Sequence, residues 1–432
     1  MFKRISPRAG SGVAVTVAAA LMLTACGGSG GGDAGGTPDP NEEVTLNFTW
    51  WGNEDRAERY EEAIALFEEQ NPNIDVNGTF MDFPAYWEKR QTEAAGGGLP
   101  DVMQFDYSYL RQYGQNGLLL DLTGFEGNGL TTDGIDETLL ATGKLEDQTL
   151  AVPTGYNAWS LFENPAVLEQ AGVEGYEGGT TWDDYDAYMA GVTEASGGEV
   201  YGGTDYTMRI QNFELQLRQE GRDLFTEEGE INFTQEELAE FWSSAEDIRE
   251  NAVIPARQLE EVAPKSGFGA NLTATEMTWS NFMGGYLGDT GAEDLNIVAP
   301  PTSDPSVQDL YQKPSMLHAV SAGTEHPEAA VAFIEFLINS PEVGEIFGAT
   351  LGVPASETAL EGAALEGPEL EVKEYLDSVA DRIGEPPAAP VVGYGALENT
   401  FLTLGTSIGL GAITPEEAAQ QFFDEAAVTL GS

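Results

Sequence analysis

Cysteine is nearly absent from the 432-residue sequence. Cys26 stands alone, so neither an intramolecular disulfide nor a thiolate metal cage can form. Histidine is almost as scarce, with only His318 and His326. Positive charge is low as well: 18 Lys and Arg stand against 73 Asp and Glu, a formal charge of −55. Phosphate neutralisation needs clustered Lys and Arg, so this balance excludes most nucleic-acid readings. After Cys26 no segment is long and apolar enough to span a membrane. What is present is core material. Hydrophobic residues make up 41% of the chain, with 7 Trp, 20 Phe and 15 Tyr, more than an acidic disordered chain carries. At ~150 residues per domain, the length suggests two or three compact units.

The start of the chain reads as an export signal. Lys3, Arg4 and Arg8 precede an apolar run of twelve at residues 13–24, and Leu23-Thr24-Ala25-Cys26 closes it. A charged start, a short apolar core and small residues before a cut mark a secretory signal peptide, expected here over residues 1–25. Leu23-Thr24-Ala25-Cys26 resembles the bacterial lipobox, which implies cleavage before Cys26 and lipid attachment to it. Loss of Lys3, Arg4 and Arg8 leaves 15 basic residues against 73 acidic, so the body is repelled by an anionic membrane that its anchor holds. Residues 27–36 hold seven glycines, and residues 26–43 read as a lipidated Cys followed by a flexible tether. Gly-x-Ser-x-Gly at 27–31 and Gly-x-Gly-x-x-Gly at 30–35 match enzyme motifs formally. Neither follows a strand or opens a helix, so both are set aside.

Beyond the tether, strands and helices alternate. Val44, Leu46, Phe48 and Trp50 share one face of a strand at 44–50. A helix follows at 54–70, with Tyr60, Ile64 and Phe67 on one stripe. A strand at 74–83, a helix at 85–95 and a strand at 102–105 complete a β-α-β-α-β order, which argues for an α/β fold with a mainly parallel sheet. Farther on, the pattern predicts a strand at 149–153 and helices at 165–171, 234–251, 327–339 and 415–429. Thr181 reads as an N-cap with acids behind it. His326, in Glu325-His326-Pro327-Glu328, reads as a surface capping residue, and Trp182 and Trp242 as helix-packing residues.

A catalytic constellation is hard to find. The two histidines lack metal-face spacing, and no EF-hand loop occurs. Serine nucleophiles would need a His base with an orienting acid. With 73 acids, any carboxylate pair suited to glycoside hydrolysis is uninformative. No catalytic residue, metal site or cofactor is expected.

Several short stretches carry a family resemblance in order: Trp50-Trp51-Gly52-Asn53; Leu99-Pro100-Asp101-Val102 with Phe105-Asp106; and Asn116-Gly117-Leu118-Leu119-Leu120-Asp121-Leu122. Ala151-Val152-Pro153-Thr154-Gly155-Tyr156-Asn157-Ala158, Pro327-Glu328-Ala329-Ala330-Val331-Ala332-Phe333-Ile334 and Leu351-Gly352-Val353-Pro354-Ala355-Ser356 follow. Together they resemble the family 1 extracellular solute-binding proteins, the maltose-binding-like receptors of ABC sugar importers. The resemblance runs from Val44 to the C-terminus. It implies a two-lobed periplasmic-binding-protein-like fold with three hinge crossings, near residues 155–159, 299–302 and 352–356. Lobe 1 would be 44–154 plus 302–352, and lobe 2 would be 155–301 plus 353–432. The unusual acidity and the aromatic-rich Asp106-Tyr107-Ser108-Tyr109 depart from the family pattern.

Sugars present apolar C–H faces and a belt of hydroxyls, so a receptor needs aromatic platforms with carboxylates and amides. Ligands of open α/β sheets sit beyond the carboxyl ends of strands. Trp50 belongs to the core face, and Trp51, on the opposite side, is expected in the cleft. Asn53 and Glu54 follow at the turn, where the competing role is capping. Asp106 and Tyr107 follow the third strand, and the resemblance carries a sugar contact onto them; an N-cap and a packed ring are the alternatives. The resemblance also points to Tyr156 and Asn157 in the first crossing, to Trp279 as the leading stacking residue, and more loosely to Tyr394. The implied function is a lipid-anchored extracytoplasmic receptor that delivers a carbohydrate, an oligosaccharide by expectation, to ABC permease subunits. A monomer held at the membrane through Cys26 is expected. Two rivals stay open: the same fold binding a cation such as a polyamine or betaine, and a surface-anchored glycoside hydrolase. An anionic ligand is disfavoured by so few basic residues.

Overall fold

The computed structural model describes residues 43–431; the expected leader, Cys26 and the Gly-rich tether lie outside the described residues. Strand β1 (Val44–Trp51), helix α1 (Glu54–Gln70), β2 (Ile74–Met81), α2 (Phe83–Gly96), β3 (Val102–Phe105) and α3 (Tyr107–Gln115) follow the alternation read from the sequence. The start of α1 is set by Asn53, whose side chain accepts the Arg56 N–H, with Glu54 and Asp55 in the first turn. Its stripe of Ala57, Tyr60, Ala63, Ile64 and Phe67 is buried. The predicted strand 74–83 ends earlier, at Met81. Asp82 caps α2 and Pro84 sits in its first turn, where a missing N–H is no loss, so the helix starts at Phe83 rather than at residue 85.

The remaining strands are β4 (Lys144–Leu145) and β5 (Gln148–Thr149), which pair as a hairpin, then β6 (Val152–Asn157) and β7 (Trp159–Glu163). After them come β8 (Thr275–Trp279), β9 (Asn296–Val298), β10 (Lys313–Val320) and β11 (Val353–Pro354). The predicted strand at 149–153 is therefore divided between β5 and β6. One sheet has the order β11-β6-β10-β3-β1-β2 and another the order β8-β7-β9. The expected parallel character holds for β2-β1-β3 only. β10 runs antiparallel to β3 and β6, and β11 antiparallel to β6. β3 and β6, which flank β10, therefore run in the same direction, as do β10 and β11, which flank β6.

Two large cores result. One gathers Phe48, Trp50, Tyr60, Phe67 and Phe333; the other gathers Trp159, Phe162, Trp242, Phe401 and Phe422. Tyr156 packs against both. Trp242 is buried, with its Nε1–H donating to the Thr207 carbonyl at 3.0 Å, and Trp182 packs on the same core. The single helix expected over 234–251 is two, Gln235–Ser244 and Glu246–Asn251. Ser243 and Ser244 donate their hydroxyls back to the Ala239 and Phe241 carbonyls just before the break at Ala245, competing with the helical ladder. Pro327–Asn339 forms as expected, but His326, although at the N-cap position, makes no side-chain capping bond. Its own N–H is instead taken by the Thr324 hydroxyl at 3.2 Å. Among the described residues, no helix is long and apolar enough to cross a membrane.

Residues 300–310 stay tied to the second core. Arg382 donates to the Pro300 carbonyl at 2.8 Å and makes a buried two-pronged pair with Asp309 at 2.9 and 2.7 Å. The chain then enters the six-stranded sheet at Lys313. β6 is flanked there by β10 and β11, with Gly155 between them. A Cβ on Gly155 would lie 2.7 Å from the Leu351 carbonyl oxygen and 2.8 Å from that of Val353, so only glycine fits without movement.

Candidate functional site

Three of the predicted site residues, Tyr107, Trp279 and Tyr394, line one cavity of about 190 Å³. They arrive there from the start of α3, the end of β8 and the start of the helix Tyr394–Gly409. Tyr107 is buried, and its hydroxyl donates to the Pro387 carbonyl at 2.9 Å. Trp279 meets Trp159 edge-on at 5.1 Å and Tyr311 at 5.9 Å, and the Lys313 ammonium lies 5.2 Å from its ring centroid. Burial raises the hydroxyl pKa of Tyr107 and Tyr394 above the ordinary tyrosine value, so both remain neutral donors.

Sequence reasoning missed the polar wall of this cavity: Gln211, Glu214, Tyr311, Lys313 and Glu398. Glu214 is buried, accepts from the Tyr311 hydroxyl at 3.4 Å, and is pushed by desolvation up to about 7. Glu398 accepts from the Gln211 amide at 2.6 Å. Residues beyond strand ends were the ones sought, whereas Lys313 begins a strand. Because β10 is antiparallel to β3, its beginning lies at the end of the sheet where β3 finishes.

Asn157 lines a second cavity of about 330 Å³ together with Arg56, Ser280, Asn281, Ser315 and Glu369. Its side chain is 3% exposed, and Oδ1 is buried without a hydrogen-bond partner. The cavities are neighbours: Trp279 and Lys313 line the first, and Ser280 and Ser315 line the second. Tyr156 is half-buried in β6, and desolvation pushes its hydroxyl up to about 12.

The other predicted residues lie in local packing or capping positions. Trp51 is 8% exposed in an aromatic cluster, with ring centroids 5.3 Å from Tyr86 and 6.1 Å from Trp87. It does take the face opposite Trp50, as the alternation requires. Asn53 caps α1, Glu54 is exposed in its first turn, and Asp106 caps α3 by accepting the Ser108 N–H at 2.9 Å. A third cavity, about 410 Å³, is lined by Tyr185, Arg209, Leu259, Glu276 and Leu402 and holds none of the predicted residues.

Aromatic faces beside amides, hydroxyls and carboxyls suit a polyhydroxylated ring. His318 is buried, with Thr154 Oγ1 3.2 Å from Nδ1 and Tyr60 Oη 3.4 Å from Nε2, and desolvation lowers its pKa to about 3. Among the described residues, no group of His, Cys, Asp and Glu is arranged to hold a metal ion.

The bacterial extracellular solute-binding protein family matches residues 62–371. A family 1 extracellular solute-binding protein from Alicyclobacillus acidocaldarius is 25% identical, with a TM-score of 0.75 over 91% of this chain and 100% of that one. A periplasmic oligogalacturonide-binding protein from Yersinia enterocolitica shares the fold, with a TM-score of 0.76 and 21% identity over 90% and 99% of the two chains. A putative ABC transporter periplasmic-binding protein of Escherichia coli is 21% identical over 81% of each chain. A putative binding protein of Brucella abortus is 27% identical over 143 residues, 33% of this chain, so the chain spans only about a third (34%) of that relative's length. The α/β architecture is shared over nine-tenths of its length and the family match spans most of it, so the chain belongs to the bacterial extracellular solute-binding proteins.

Proposed function

We propose that this chain is a receptor, lipid-anchored through Cys26 on the extracytoplasmic face of the cell membrane, that binds a carbohydrate between two lobes and delivers it to ABC permease subunits. One cavity carries the reading: Tyr107, Trp279 and Tyr394, distant in sequence, converge there with the Gln211 amide and the Glu214 and Glu398 carboxyls. The lobes are taken as 44–154 plus 302–352 and 155–301 plus 353–432, with residues 302–310 packed on the core of the second. Pairing of Tyr156 with Val353 supports two crossing segments that run side by side. Contacts made to both lobes favour the closed form by their differential affinity, and the permease reads that form. The Yersinia relative's oligogalacturonide ligand supports an oligosaccharide over a single sugar. A free cationic solute fits less well, because Lys313 already occupies one face of Trp279.

Isothermal titration of the full-length chain in detergent against mono- and oligosaccharides, polyamines and betaines tests this. Saturable binding of a sugar class, recovered intact, is the expected result. Binding by cations alone overturns the ligand class.

A further inference from the structure

We propose that the ligand is an acidic oligosaccharide, a sugar chain bearing uronate carboxylates, with Lys313 its charge partner in one cavity and Arg56 in the other. Resting on the carbohydrate reading above, this narrows the substrate class of that same cleft.

The observation is where the few cations go. Fifteen Lys and Arg follow residue 8. Nine of them make ion pairs: Arg59, Lys89, Arg90, Arg209, Arg218, Arg222, Arg249, Lys373 and Arg382. Lys144 and Arg257 are exposed, while Arg111 and Lys265 donate to backbone carbonyls. Arg56 and Lys313 remain, and each lines one of the two neighbouring cavities.

Neither has a carboxylate partner among the described residues. Lys313 has only the face of Trp279, and Arg56 only the Trp51 carbonyl, at 2.9 Å, for its guanidinium. Desolvation lowers the pKa of Arg56, outweighing the favourable fields of Tyr60 and Asp55. In a chain with 73 acids a partner would be easy to supply. A concave, partly dry site that withholds one is suited to a ligand that brings its own anion.

The carboxyls in these walls are already engaged. Glu398 holds the Gln211 amide, Glu369 accepts the Ala349 N–H at 3.3 Å, and Glu214 accepts from Tyr311. Glu214 faces Tyr107, Tyr311, Tyr394, Lys313, Arg218, Asp223 and Glu398. With burial pushing it to about 7, a large share carries a proton at neutral pH and can donate to a ligand carboxylate. The unpartnered Asn157 Oδ1 adds an acceptor for a sugar hydroxyl. The scarcity of basic residues, which argues against an anion from composition, thus says little about the cleft: two cations suffice if both stand in it.

The experiment is calorimetry on the full-length chain in detergent. The ligands are galacturonate and glucuronate di- and trisaccharides, their methyl esters and the neutral parent sugars. The acids are expected to bind about tenfold more tightly than their esters, the scale of one charge-assisted hydrogen bond. Added NaCl should weaken the acids more than the esters. Lys313→Met and Arg56→Met should bring the acid-to-ester ratio toward one. Esters or neutral sugars that bind as tightly as the acids overturn the inference and leave the carbohydrate reading standing. Silence from every sugar overturns both. A ratio unchanged in both folded variants removes their role, and should either variant fail to fold, the salt dependence of the parent chain decides.

Discussion

The Lys313 ammonium lies 5.2 Å from the centroid of the Trp279 ring, joining the first strand residue of β10 to the last of β8. A contact of this kind contributes about 0.5–2 kcal/mol, depending on desolvation. It also ties the six-stranded sheet to the three-stranded one at the point where the two cavities adjoin.

Trp279 should therefore matter more to ligand than to fold. Trp279→Ala is expected to weaken oligosaccharide binding about 10- to 100-fold, as for a central aromatic anchor, with a smaller change in Tm. Titration calorimetry beside a thermal melt checks this, and equal loss of both would reassign Trp279 to the core.

Gly155 is fixed by its neighbours. Gly155→Ala forces a Cβ against the Leu351 and Val353 carbonyls and should destabilise by about 1–3 kcal/mol. A lower urea midpoint at unchanged slope is the expected signature.

Arg382 is nearly buried against Asp309, whose side chain is fully buried. Arg382→Met leaves that carboxylate without its charge partner and should cost about 3–5 kcal/mol. A loss under 1 kcal/mol in denaturant melts would contradict this.

Glu214 sets a pH dependence. Its folded pKa, about 7, lies above the ordinary 4.5, so between these values the native state keeps a proton that the unfolded state releases. Stability from this group falls as pH rises through that window. Glu214→Gln should therefore stabilise relative to the parent at pH ~8, by on the order of 1–3 kcal/mol, and much less near pH ~4. Paired melts across pH measure the difference.

Much of the fold was legible because local signals were strong. Asn53, the acids behind it and the Tyr60/Ile64/Phe67 stripe define α1 from end to end, and Asn164-Pro165 opens the helix to Ala171 as read. The break at Ala245 was not legible, since it depends on two serine hydroxyls turning back to the backbone. In the site, Tyr107, Trp279 and Tyr394 emerged from strand ends and family resemblance. Lys313 and Tyr311 did not, because only the antiparallel direction of β10 brings its start to that end of the sheet. Asn53 and Asp106 show the opposite ambiguity: a polar residue after a strand is also where the next helix needs its cap.

Hydrogen exchange of the full-length chain, with and without its tightest oligosaccharide, is the most direct test of where and how the receptor binds. Protection is expected in Tyr107–Gln115, Ile210–Gln219 and the residues around 279–282 and 311–316, drawn from both sheets at once. Protection confined to the wall of the 410 Å³ cavity, around Arg209, Leu259 and Glu276, or none at any saturating sugar, would contradict a carbohydrate receptor that binds through Tyr107, Trp279 and Tyr394.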